Sequence, residues 1–117
     1  MSRNSLNFNK NTFSAHVIAV VRLIPYGKVS TYGAIANCLG YKRSARMVGH
    51  VLSKTTGLID FPAHRVVNRA GFLTGKHHFS SLNEMETRLI AEGVKIENDK
   101  IVDFNTVFWD PLTHIEA

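Results

Sequence analysis

A mainly α-helical α+β domain is what this sequence predicts: winged-helix-like, with a helix-turn-helix and short strands or a hairpin. Three observations carry that reading. Apolar residues recur at helical spacing in four separate segments. Two of those segments are short and joined by the tight connection "GYK". Near the end, "VKIENDKIVDF" alternates on both sides of an Asn-Asp pair, as a hairpin does.

The first helix is predicted over Thr12 to Ile24, where Phe13, Val17, Val20, Val21 and Ile24 share a face, Asn11 or Thr12 is available as N-cap, and Pro25 and Gly27 end the run. "VSTYGAIANCLG" predicts a short second helix, capped by Ser30 or Thr31 and closed by Gly40. The third, "RSARMVGHVLSK", turns Ala45, Val48 and Leu52 to one face and Arg43, Arg46, His50 and Lys54 to another. From Thr56 to Gly75 the period is lost, which predicts short extended pieces around an Ala-Gly turn. "SLNEMETRLIAEG" predicts a helix with a Ser81–Glu84 capping box, a Leu82, Met85 and Leu89 stripe and a Gly93 stop. Trp109 is expected to pack against the core.

The bulk numbers bound what such a domain does. With 117 residues, 44% of them apolar and 20% charged, the chain is expected to be one globular domain over 1–117, with residues 1–11 flexible. No apolar run approaches the roughly 20 residues that span a bilayer, so no membrane partner is expected. A single cysteine, Cys38, allows no internal disulfide and suits a reducing compartment. Fourteen Lys and Arg against nine acidic residues give a net charge of +5, which suits a polyanionic partner.

Several constellations could carry chemistry. The basic row on "RSARMVGHVL" fits either a solvated helix face or a surface lying on DNA. Within it, Arg46 is a long cation beside Ala45 and a turn from Gly49, suited to reach into a base stack as wedge residues do. Tyr32, near a helix start, suits stacking or a phosphate bond as well as a half-buried structural role. In "FPAHRVVN", His64 could be a general base or a buried donor, yet Ala63 beside it can neither attack nor donate. His77 and His78 are adjacent rather than at ligand spacing, so no metal and no cofactor are expected. Cys38, in "IANCLG", fits a small buried residue better than a nucleophile.

Taken in order, "IPYGKVSTYGAIA", "SARMVG", "PAHRVV", "GFLTG" and "LIAEG" resemble the C-terminal DNA-binding domain of the O6-alkylguanine-DNA alkyltransferases from about Phe13 to Gly93. That family carries a cysteine, the alkyl acceptor, where this chain has Ala63. The chain is also expected to lack the family's N-terminal domain, and both departures resemble the alkyltransferase-like proteins, which bind alkylated DNA and transfer nothing.

The resemblance implies roles. It implies duplex DNA containing O6-alkylguanine as partner, bound through the minor groove with the lesion flipped into a pocket and marked for nucleotide excision repair proteins. Tyr32, Arg43, Ala45, Arg46, Gly49 and Lys54 would contact DNA, with Tyr32 rotating the nucleotide and Arg46 filling its place. Tyr32, Leu52, Pro62, Ala63 and Val66 would line the pocket, while His64 and Glu92 would be a relic of the network that activates the cysteine. Thr55 lies near the place of the family's Asn-Pro hinge, and "TGKHHFSS" is about two residues longer than the corresponding loop. A monomer is expected, cytoplasmic, nucleoid-associated in a bacterium or nuclear in a eukaryote. Three other readings stay open here: an alkyltransferase inactivated by a cysteine-to-alanine change, a helix-turn-helix regulator reading one undamaged sequence, and an enzyme using His64 as base on another substrate.

Overall fold

The computed structural model describes residues 10–55 and 57–114. Helix α1, Lys10–Arg22, leads to strand β1, Ser30–Thr31, which runs directly into α2, Tyr32–Cys38, and then α3, Ala45–Leu52. A 3-10 turn at Ala63–Arg65 opens into β2, Val66–Val67. A second 3-10 turn, Thr74–His78, precedes α4, Glu84–Ala91. The hairpin β3, Ile96–Glu97, and β4, Lys100–Ile101, follows, then the short helices α5, Phe104–Val107, and α6, Pro111–His114.

The predicted stripe of α1 is the core: Phe13, Val17, Val20, Val21 and Ile24 are all buried. The helix itself ends two residues early, at Arg22, because Leu23 and Ile24 tighten onto Val20 and Val21 carbonyls ahead of Pro25. Asn11 and Thr12 are not its caps, since Lys10 is already helical. Of the segment 1–11 expected to be flexible, only Lys10 and Asn11 lie within the described residues, as the start of this helix. In α2 the cap is Thr31, whose Oγ1 accepts from the Ala34 amide at 3.0 Å. Ser30 does not share in it; its hydroxyl is buried and has no partner among the described residues.

Two-residue strands suffice to organise two cores. β1 and β2 pair in parallel, Ser30 with Val66 and Thr31 with Val67. Successive strand side chains point to opposite faces. Val66 thus enters the cluster built by α1, α2 and α3 with Trp109, while Val67 enters the one built by Leu73, Met85, Leu89, Val94 and Ile101. Phe79 packs on both. Truncating one fully buried member such as Leu89 to Ala would cost about 2–5 kcal/mol.

The hairpin turns at Asn98 and Asp99, both in the left-handed region (φ 53 and 63), as a two-residue type I′ connection requires. The stop at Gly93 holds, with φ +89 and the Val94 amide returning to the Leu89 carbonyl at 3.0 Å. The capping box does not. Helix α4 begins only at Glu84, whose carboxylate accepts from the Ser80 hydroxyl at 2.5 Å while its amide donates to the Ser81 carbonyl at 3.2 Å. Leu82 consequently precedes the helix and is 59% exposed, leaving Met85 and Leu89 as its buried stripe. Among the described residues no helix is long and apolar enough to cross a membrane.

Candidate nucleic-acid interface

Helices α2 and α3 pack on each other, with Val48 and Leu52 of α3 buried against the core. The other side of α3 is basic and carries no acidic residue. Arg46 and His50 lie within the helix, whereas Arg43 precedes its N-cap Ser44 and Lys54 follows its C-cap Ser53; all four are exposed. Ala45 and Gly49 are half-buried, so the helix offers long cations with low ground between them. A groove of about 800 Å³ runs beside this row, floored by Phe13, Ile18 and Val51 and edged by Arg46, His50 and Lys54.

Tyr32 opens α2, and its ring lies on α3: a Cβ at Gly49 would sit 3.7 Å from its Cδ1 and Cε1. Burial pushes the phenol pKa up, against the pull of a hydrogen bond with the Thr74 side chain. The ring packs against the same cluster that contains Leu52, Ala63 and Val66, so four of the five residues assigned to a pocket come together. Leu52, Ala63 and Val66 are only 5%, 7% and 1% exposed. Their surfaces are largely covered. Pro62, also buried, borders a cleft of about 660 Å³ with Arg22, Tyr26, Phe61 and Arg88.

Behind Ala63 stands a charged network. His64 Nε2 lies 2.7 Å from Glu92 Oε2. The same carboxylate accepts from Arg65 Nε at 2.9 Å, from Arg65 Nη2 at 2.8 Å and from the Gly27 amide at 3.0 Å. Arg65 Nη1 also donates to the Ile24 carbonyl at 2.8 Å. The network ties the turn after α1, the 3-10 turn and the end of α4 into one unit. Burial opposes the charge on Glu92, but the Arg65, Gly27 and His64 bonds outweigh it and hold its pKa down to about 2. Burial pushes the His64 pKa down despite the pull of Glu92. A neutral imidazole donates Nε2–H to the carboxylate, and its buried Nδ1 has no partner among the described residues.

Cys38 is half-buried rather than buried, and burial, with Asp110 nearby, pushes its thiol pKa up, away from nucleophilic character. Among the described residues no group of three His, Cys, Asp or Glu side chains is placed to hold a metal. Sequence reasoning missed Arg65 and Gly27 as members of this network. Arg65 stood inside a quoted motif, but its partners lie 27 and 41 positions away along the chain, which no local pattern reports.

The class is now defined. The family profile of the 6-O-methylguanine DNA methyltransferase DNA-binding domain matches residues 12–94, and the chain belongs to that family. Within it, the chain is 37% identical over 103 residues to the DNA base-flipping protein of Escherichia coli (strain K12), covering 86% of this chain and 77% of that one. It is 35% identical over 92 residues to Alkyltransferase-like protein 1 of Schizosaccharomyces pombe, covering 79% and 85%. The crystal structure of S. pombe Atl1 with damaged DNA containing O6-carboxymethylguanine superposes with a TM-score of 0.78 at 33% identity, covering 87% of this chain and 98% of that one.

Proposed function

We propose that this protein recognises O6-alkylguanine in duplex DNA by flipping it out of the helix, and that it transfers no alkyl group. The observation that supports this most is the pairing of an intact setting with an inert centre. His64 and Glu92 stand 2.7 Å apart beside residue 63, but residue 63 is alanine. Relatives named for base flipping and an alkyltransferase-like protein bound to damaged DNA support the same reading.

In this reading the basic row Arg43, Arg46 and Lys54 sets the protein on the phosphates, with α3 entering the minor groove and Ala45 and Gly49 allowing close approach. Tyr32 presses on the phosphate of the target nucleotide, and Arg46 fills the space the base leaves. Tyr32, Leu52, Pro62, Ala63 and Val66 line the site that receives the guanine. Extrusion costs a few kcal/mol and is cheapest for a weakly paired, damaged base, which supplies part of the selectivity. With no thiol at residue 63, nothing covalent ends the complex; its lifetime is a dissociation rate. The lesion leaves unchanged, so its removal falls to other proteins, and we assign that step to nucleotide excision repair. The protein acts as a monomer.

The test is chemical. After incubation with a duplex containing O6-methylguanine, the protein's intact mass should be unchanged and the base recovered as O6-methylguanine. A methyl adduct on the protein, or restored guanine in the DNA, would overturn the reading.

A further inference from the structure

Helix α3 has two flanks beside its basic row. On one, Gly49 faces the Tyr32 ring. By helical periodicity Met47, Val51 and Lys54 fall on the other, along the groove of about 800 Å³. Leu58 lines the same groove, and with Ile59 it makes an exposed tip between α3 and the 3-10 turn at Ala63. Ile59 is 85% exposed, Leu58 43% and Met47 38%. Among the described residues no carboxylate lines this groove, whose edge is Arg46, His50 and Lys54.

The tip is held at both ends. Thr55 is buried; its hydroxyl donates to the Leu52 carbonyl at 2.8 Å, and its carbonyl accepts from the Leu58 amide at 3.0 Å. Phe61 is buried at the far end, reached through Asp60 in the left-handed region (φ 58). Asp60 itself lines the neighbouring cleft with Arg22, Arg65 and Arg88. A single exposed apolar side chain is ordinary on a protein surface. Here several stand together along a row of cations, on a segment fixed to the core.

We infer that Met47, Leu58 and Ile59 are a further DNA-contact surface, an apolar shelf that lies against the sugars of the minor-groove wall while Arg46 and Lys54 meet its phosphates. This rests on the docking of α3 proposed above and continues that interface past the end of the helix. Sugars offer apolar surface, and proteins that bind the minor groove place Leu, Ile and Met there. A tip already fixed loses little conformational freedom on binding. Sugars are the same with or without a lesion, so the shelf adds grip and leaves the choice of base to the pocket.

Binding titrations at several salt concentrations test it, with a duplex carrying one O6-methylguanine and its undamaged match, for Ile59→Ala, Ile59→Asp and Lys54→Ala. Ile59→Ala should weaken both duplexes about three- to tenfold, the worth of roughly half an isoleucine side chain buried. The ratio between the duplexes should stay within about twofold, and the salt dependence should match the parent's, because no phosphate contact is lost. Lys54→Ala should instead flatten that dependence by about one unit of slope. Ile59→Asp should weaken both duplexes by about tenfold or more at low salt, and less as salt screens the new carboxylate. Ile59 is exposed, so its variants should melt with the parent. The inference is overturned if both Ile59 variants bind like the parent, which would leave the shelf to a protein partner or a second copy. It is also overturned if Ile59→Ala lowers lesion binding alone. A parent protein with no preference for the damaged duplex would refute the lesion reading instead, since the shelf is scored on undamaged DNA as well.

Discussion

Replacing Glu92 with Gln should destabilise the fold while sparing its choice of DNA. The carboxylate side chain is only 8% exposed and serves three donors: the Gly27 amide, His64 Nε2 and the Arg65 guanidinium. A glutamine retains one acceptor oxygen, enough for Gly27, but sets an amide against Arg65, whose side chain is 16% exposed. The two charge-assisted bonds to Oε2, from His64 Nε2 and Arg65 Nη2, are lost, and the half-buried guanidinium keeps Nε on the remaining oxygen and Nη1 on the Ile24 carbonyl. At about 1–2 kcal/mol for each bond to a charged group, the expected loss is roughly 2–4 kcal/mol. For a domain of this size that lowers the melting temperature by about 8–15 °C. Urea unfolding at neutral pH measures it, through a fall in midpoint at unchanged slope. A loss below about 0.5 kcal/mol would mean the network behaves as a surface ion pair and the reasoning is wrong. Well below the melting temperature, the ratio of lesion to undamaged binding should stay within about threefold of the parent, since no residue proposed to touch DNA has moved.

Acid should act on the same unit. Folded His64 resists the proton that the unfolded chain takes up below 6.5, so stability should begin to fall as pH drops through that value. Glu92, held at about 2 against an ordinary 4.5, adds stability that is complete above 4.5 and disappears as pH falls from there towards 2. Urea midpoints from pH 8 to pH 3 should show both slopes; His64→Gln should remove the first, and an unaltered profile would refute it. Arg46→Ala should weaken lesion binding by about tenfold or more in a direct binding titration, while melting within a degree or two of the parent, because Arg46 is exposed. Gly49→Ala should raise stability by about 0.5–1 kcal/mol, since its Cβ meets the Tyr32 ring at an ordinary 3.7 Å. The same change should weaken DNA binding; a stabilised variant with undiminished binding would remove Gly49 from the interface.

What the sequence disclosed followed from local physics. The 3.6-residue period exposed α1, α3 and α4 because each buries a stripe, and residue type exposed Thr31 as a cap and Asn98-Asp99 as a turn. Two-residue strands have no period to read, so the β1–β2 pair that divides the cores could not be seen. The capping box failed because Ser80 satisfied Glu84 before Ser81 could. The ordered motifs around Tyr32, Arg46, Ala63 and His64 are what made a candidate site legible. The links that hold it in place were not: Arg65 to Ile24 and to Glu92 join residues far apart in the chain.

The central claim is that the protein reads a lesion rather than a sequence. Equilibrium binding of two short duplexes, identical except for one O6-methylguanine in place of guanine, tests it most directly at a single fixed salt concentration. The account predicts tighter and fully reversible binding of the damaged duplex, retained when the flanking sequence is changed. Equal affinity for both, or a preference that follows the flanking sequence instead of the lesion, would contradict it.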